Sequence, residues 1–142
     1  MRTSKILAVA LAATLLLSCC TASCHASMRA KAEVLSPAIA AAWEAPSGVE
    51  ADVERGIVDA MQDGEMGSAE SVDVRQSFYA LDEAIESGSV DAIRARIRDW
   101  TRLAPLARRG VLDRYDDGEI GFGGMQIFLE RIDNLTAALA AL

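Results

Sequence analysis

Apolar residues recur along most of the chain at intervals of three and four, the period of a helix with one buried face. No segment alternates apolar and polar residues as a half-buried strand does. A first helix ends near Trp43, with Ser36-Pro37 as either a break or a fresh N-cap and first helical residue. Pro46-Ser47-Gly48 reads as a turn. Ser47 and Glu50 then make a capping-box pattern, and Val49, Val53, Ile57 and Met61 form the apolar stripe of a second helix that Gly64 ends. A third helix carries Val74, Phe78, Leu81 and Ile85 and stops at Gly88. Ser89 caps a fourth, with Val90, Ile93, Ile97 and Trp100 inward, ending before Pro105. A fifth runs from about Pro105 to Asp117 with Leu106, Leu112 and Tyr115, stopped by Gly118. The sixth holds Met125, Phe128, Ile132, Leu135 and Leu139 on one face. Helices joined by short turns make a small all-α up-and-down bundle of about six helices the expected fold.

The same pattern occurs twice. Residues 53–67, VERGIVDAMQDGEMG, align without gaps on residues 107–121, ARRGVLDRYDDGEIG, at an offset of 54 with seven of fifteen positions identical. The offset also carries Val74, Phe78, Leu81 and Ile85 onto Phe128, Ile132, Leu135 and Leu139. Trp43 and Trp100 precede the two copies three residues out of step. Two duplicated three-helix units, about 31–88 and 89–142, account for all of this. Gly56 and Gly110 recur inside predicted helices, where each costs about 1 kcal/mol relative to alanine. That recurrence points to a close helix crossing or a shared bend, or is a relic of duplication.

The first thirty residues follow a different rule. Arg2 and Lys5 make a basic start, Ile6 to Leu17 is an apolar run broken only by Thr14, and small polar residues follow. The run has the length of a signal-peptide core and is too short for a membrane span of about 18–20 residues. Leu16-Leu17-Ser18-Cys19 resembles the lipobox of bacterial lipoproteins, with Leu17 bulkier than the residue usual at its place. That resemblance implies a diacylglycerol on the Cys19 thiol and cleavage before it, leaving 1–18 as signal peptide, 19–30 as a flexible tether and 31–142 as the helical domain. Ordinary signal-peptidase cleavage after Ala22 or Ala26 remains open, the latter giving a signal peptide of 1–26 and removing all three cysteines. The short Ala- and Arg-rich chain also resembles small lipoproteins of bacteria and their phages, while no motif places the mature domain in a family.

Composition then narrows the chemistry. All 21 acidic residues lie beyond the signal but only 12 of the 14 basic ones do, a net charge of −9 for the mature chain. Such a charge argues against nucleic acid, which needs a basic face, and against side-chain adhesion to anionic lipid. Cys19, Cys20, Cys24 and the single His25 all lie in or beside the signal. The domain therefore has no internal disulfide, no histidine-dependent nucleophile and no usual zinc ligand set. A carboxylate-only hydrolase remains conceivable, because glycoside cleavage needs just two acids about 5–10 Å apart.

Two local clusters merit weighing. Asp59, Asp63, Gly64, Met66 and Glu70 fall at positions 1, 5, 6, 8 and 12 of a calcium-binding EF-hand loop, with Met61 at position 3. In the second copy Asp113, Asp117, Gly118 and Ile120 match, but Tyr115 and Gly124 stand at positions 3 and 12. The plainer expectation is that Gly64 and Gly118 supply the left-handed residue that ends a helix, with Met66 and Ile120 returning to the core. Arg94, Arg96, Arg98, Arg102, Arg108 and Arg109 form a basic run in an acidic protein, expected as a solvated face with acidic neighbours. Trp43 and Trp100 are expected as core anchors. The sequence reads as an exported envelope lipoprotein with a structural or protein-binding role, held on the periplasmic or outer face by its lipid. No catalytic, cofactor or metal residue is assigned. The alternatives are a soluble periplasmic or secreted calcium- or ligand-binding module and a carboxylate-only envelope hydrolase.

Overall fold

The computed structural model describes residues 35–44 and 48–142; the signal, Cys19, the tether and Ser47 lie outside them. The described residues form six helices and no strand: α1 (35–44), α2 (Val49–Gln62), α3 (Ser68–Glu86), α4 (Val90–Ala95), α5 (Ile97–Asp116) and α6 (Phe122–Ala140). The protein is thus all-α. Among the described residues no helix is long and apolar enough to cross a membrane.

The core gathers one stripe from each helix. Trp43 of α1 and Trp100 of α5 meet edge to face at 6.2 Å, and Phe78 of α3 lies 5.8 Å from Trp43. Both indoles are buried, and each N–H donates to a polar side chain: Trp43 to Asp82 at 2.7 Å, Trp100 to Thr136 at 2.9 Å. Asp82 and Thr136 are themselves 54 residues apart, so the two tryptophans fill matching places although they are 57 apart. The surplus of three residues falls between Trp43 and α2, in the segment that ends at Gly48, the N-cap of that helix. The corresponding stretch of the second unit is uninterrupted helix.

Two expected boundaries are corrected. The fourth helix does not run to Pro105; it ends at Ala95, and α5 continues through Pro105 for twenty residues. Proline removes one backbone hydrogen bond and crowds the preceding turn, at a cost of about 3 kcal/mol. Trp100, Leu103, Ala107, Gly110 and Val111 form one buried stripe across that point, and packing it requires the helix to stay whole. Pro105 itself faces solvent. The inward face of α5 is therefore not the Leu106, Leu112, Tyr115 set: Leu106 is half-buried and the other two are exposed. Met61 is exposed for a related reason. A repeat of four drifts by about 40° per step on a helix of 3.6 residues per turn, so by the fourth member the stripe has left the core. Ala60, closer to the angle of Val49, is buried in its place.

Turn chemistry follows the sequence closely. Gly64 and Gly118 both have φ of +75°, and Gly88 has +65°, the left-handed region that a side chain rarely enters. After each of the first two, the chain returns inward: the Met66 N–H donates to Ala60 O, and the Ile120 N–H to Arg114 O. Those two bonds interchange on adding 54 to every residue number.

Candidate functional site

The most extensive helix contact is between α2 and α5, and its geometry depends on two glycines. A Cβ placed on Gly56 would lie 1.8 Å from Leu106 O, and one on Gly110 would lie 2.0 Å from Asp52 O. The glycines are 54 apart, and so are the two carbonyls they face. Backbone touches backbone at a crossing that treats the two units alike, as in a symmetric dimer interface where residue i meets j and j meets i. Of the readings open for these glycines, the structure shows a close crossing.

This contact dictates what the preceding residue does. Arg55 and Arg109, each one position before a crossing glycine, reach over the opposite helix to the end of the other unit's central helix. Arg55 Nε donates to Asp113 Oδ2 at 2.5 Å, Nη2 to Asp117 Oδ2 at 2.6 Å, and Nη1 to Glu119 at 2.7 Å. Arg109 Nε donates to Asp59, Nη2 to Asp63 Oδ2 at 2.5 Å, and Nη1 to Glu65. Every nitrogen has the same job in both copies. The pairing pushes both guanidinium pKa values further upward, with Glu119 the largest contributor at Arg55 and Asp59 at Arg109.

The acidic turns that resemble calcium loops are thus the sockets of two reciprocal clamps. Asp59 and Asp63 join Glu65, not Glu70, and they surround the guanidinium of a residue 44 to 50 positions away. Among the described residues no group of three or more His, Cys, Asp or Glu side chains is arranged to hold a metal ion. Two shallow grooves flank the clamps, one lined in part by Ala51, Glu54, Arg55 and Val58, the other by Pro105, Arg108, Arg109 and Leu112. These are the same four positions at the same offset.

Replacing Arg55 or Arg109 with glutamine leaves three carboxylates facing one another at one turn. Each single variant is expected to lower Tm by a similar amount at low salt, because the two sites are geometrically alike. Both losses should shrink in about 0.5 M NaCl, where exposed charges more than a few ångströms apart are screened. Strongly unequal losses in thermal melts would refute the equivalence.

One polar contact breaks the symmetry. Asp52 is buried, with its carboxylate accepting from Arg114 Nη1 at 3.0 Å. Its second oxygen, Oδ2, is buried with no hydrogen-bond partner in the described structure. Arg114 also lies 3.7 Å from Glu119 Oε2 and stacks over Phe128 at 4.7 Å, a ring that Arg131 approaches at 5.3 Å. At offset 54 the counterparts of Asp52, Arg114 and Phe128 are Leu106, Ala60 and Val74. Burial pushes the Asp52 carboxyl above its ordinary value, and Arg114 pulls it partly back. A buried acid looks like any other helix acid in the sequence, and nothing there marked this one.

The remaining arginines divide. Arg109 is a clamp; Arg94 binds Leu142 O and Asp91, Arg96 lies near Asp99, and Arg108 pairs with Asp133. Comparison of the chain with protein families, with characterised proteins and with solved structures finds no match.

Proposed function

We propose that the protein is an exported lipoprotein of the bacterial envelope, anchored through a diacylglyceryl group on Cys19, with a helical domain that serves a structural or protein-binding role. The observation that carries this reading is the leader: a basic start, an apolar run of signal length and Leu16-Leu17-Ser18-Cys19 at its exit. The domain's chemistry is in keeping with it. Its densest acidic and basic groups are engaged with one another across the two units, an arrangement that rigidifies a body. One acyl chain binds a membrane only marginally, whereas the several chains of a modified cysteine hold firmly. Metabolic labelling with palmitate tests the anchor. Label is expected in the wild type and lost in Cys19→Ala, with the wild type in the membrane fraction; equal labelling of both would remove the proposal.

The calcium-binding alternative has one observation in its favour, the convergence of three carboxylates at each turn. Calcium would have to displace a guanidinium bound by all three. No rise in Tm is therefore expected at millimolar calcium, and a rise would favour that alternative.

A further inference from the structure

The two units differ in how their last helices begin. α3 and α6 start from matching N-caps, Gly67 and Gly121, 54 residues apart. Residues 68–75 include Glu70, Asp73 and Arg75, whereas residues 120–129 carry no charge at all. Ser68, Ser71, Asp73 and Arg75 are matched by Phe122, Met125, Ile127 and Leu129; only Val72, matched by Gln126, runs the other way. The first half of α3 buries Ser71 and Val74, yet all three buried residues of α6, Ile132, Leu135 and Leu139, lie in its second half. The shared fold therefore does not need apolar side chains at these places, and α6 leaves uncovered what it has gained.

Phe122 and Ile127 are each 60% exposed. At about 100° per residue, Gly123 and Gln126 fall between them on the outward side of α6, and both are exposed. Met125, Phe128 and Leu129 lean inward and are half-buried against the core. A Cβ added at Gly123 would meet nothing within 4 Å, so the centre of the face is open. Charge selects what covers it. Residues 35–142 carry 20 acidic and 10 basic side chains, so copies of the chain repel one another. A two-fold contact sets a patch against its own copy, and any charge within the patch faces its like. An uncharged face is where two equally acidic bodies can meet. An anionic phospholipid surface fits it poorly: Arg131, the only basic residue of α6, stacks on Phe128, and Glu119 and Glu130 border the face.

We propose that the first half of α6 is a self-association surface, through which two copies pair by Phe122, Gly123, Gln126 and Ile127 across a two-fold axis, with their α6 helices antiparallel. That orientation puts the two Glu130 side chains at opposite ends of the contact. Such a contact closes on itself and stops at the dimer. The patch offers on the order of 400 Å² per copy, about half of what each side of a standard interface contributes. The dimer is accordingly reversible and concentration-dependent. Its attraction is apolar, so salt strengthens it by screening the repulsion between the two acidic bodies. This goes beyond the anchored-envelope reading and holds with or without lipid on Cys19.

Sedimentation velocity on the purified exported protein tests it, with reductant to keep the leader thiols from joining copies and detergent where an acyl chain is present. The molecule supplies its own variant: F122S/I127D installs the residues that α3 has at the matching places, Ser68 and Asp73. Both positions face solvent, so helix content by circular dichroism is expected to be unchanged. Wild-type mass should rise with concentration toward twice the monomer at about 50 mM salt, and more steeply at about 0.5 M NaCl. F122S/I127D should stay monomeric in both. Q126E keeps the shape of the face and adds one carboxylate per copy; its dimer should be several-fold weaker at low salt and recover at high salt. A wild type that stays monomeric at all concentrations overturns the proposal, as does a dimer that F122S/I127D leaves intact or that 0.5 M NaCl dissolves. If F122S/I127D loses helix content, Q126E decides, and an unweakened low-salt dimer overturns the proposal. Binding of a monomeric wild type to phosphatidylglycerol vesicles, lost in F122S/I127D, would assign the face to lipid and likewise overturn it.

Discussion

Gly56→Ala is expected to be among the most damaging single substitutions in the molecule, although it adds only one methyl group to a helix. In an exposed helix the change would help by about 1 kcal/mol. Here the new Cβ falls 1.8 Å from Leu106 O, with the Leu106 carbonyl carbon at 2.6 Å and Gly110 N at 3.1 Å. The obstacle is backbone, which cannot rotate aside as a side chain would. Relief requires α2 and α5 to separate along their whole contact, drawing Arg55 and Arg109 off their carboxylates. Overpacking costs of about 1–3 kcal/mol apply to side chains that can adjust; a loss at or above the top of that range is expected here. That is a large share of a typical stability of roughly 5–15 kcal/mol. Urea unfolding should give it directly, with Tm lower by about 10–20 °C. Gly110→Ala should behave alike, since its Cβ falls 2.0 Å from Asp52 O. Gly123→Ala is the control: it lies in the first turn of α6 with nothing within 4 Å of the added atom, and should be neutral or raise Tm by a few degrees. Equal effects at Gly56 and Gly123 would mean that the crossing does not need glycine.

The glycine pair shows what the sequence could and could not reveal. Recurrence of Gly56 and Gly110 at one offset was legible, and so were the helical class, the left-handed turns and the stripes of α3 and α6. The orientation of the copies was not. A linear alignment reports that Arg55 and Arg109 are equivalent, but it cannot report that each faces the other's turn. The DGE turns therefore looked like self-contained loops, because loop positions are local and the guanidinium that fills each socket comes from far along the chain. One signal was available: Arg-Gly recurs as a pair, and an arginine beside a crossing glycine has the opposite helix within reach. Pro105 misled for the opposite reason. Its local cost is real, yet the stripe from Trp100 to Val111 decides where the helix runs.

The second large effect is expected where the two units differ. Removing Arg114 alone leaves Asp52 buried and unpaired, the situation in which breaking a buried ion pair costs about 3–5 kcal/mol. Removing both charges should be far milder. The molecule contains its own template for that change: Leu106 and Ala60 occupy the matching places in the other half of the crossing, and no charge is needed there. Asp52→Leu with Arg114→Met, the methionine keeping cover over Phe128, is expected to match or exceed wild-type stability. Desolvating an ion pair costs more than its attraction returns when an oxygen such as Asp52 Oδ2 is left unpaired. The double variant should thus recover most of what Arg114→Ala loses, a coupling that a double-mutant cycle measures. The pH dependence has a defined sign. The folded-state pKa of Asp52 is raised above its unfolded value by burial, so the native state holds that proton more tightly than the unfolded chain. The contribution of Asp52 to stability is present below the unfolded pKa and is lost as pH rises through the raised folded one. Asp52→Asn cannot lose that proton, so its stability relative to wild type should climb as pH rises across the same interval. A difference that stays flat, or falls, would show that Arg114 outweighs burial and that the pair is a net gain to the fold.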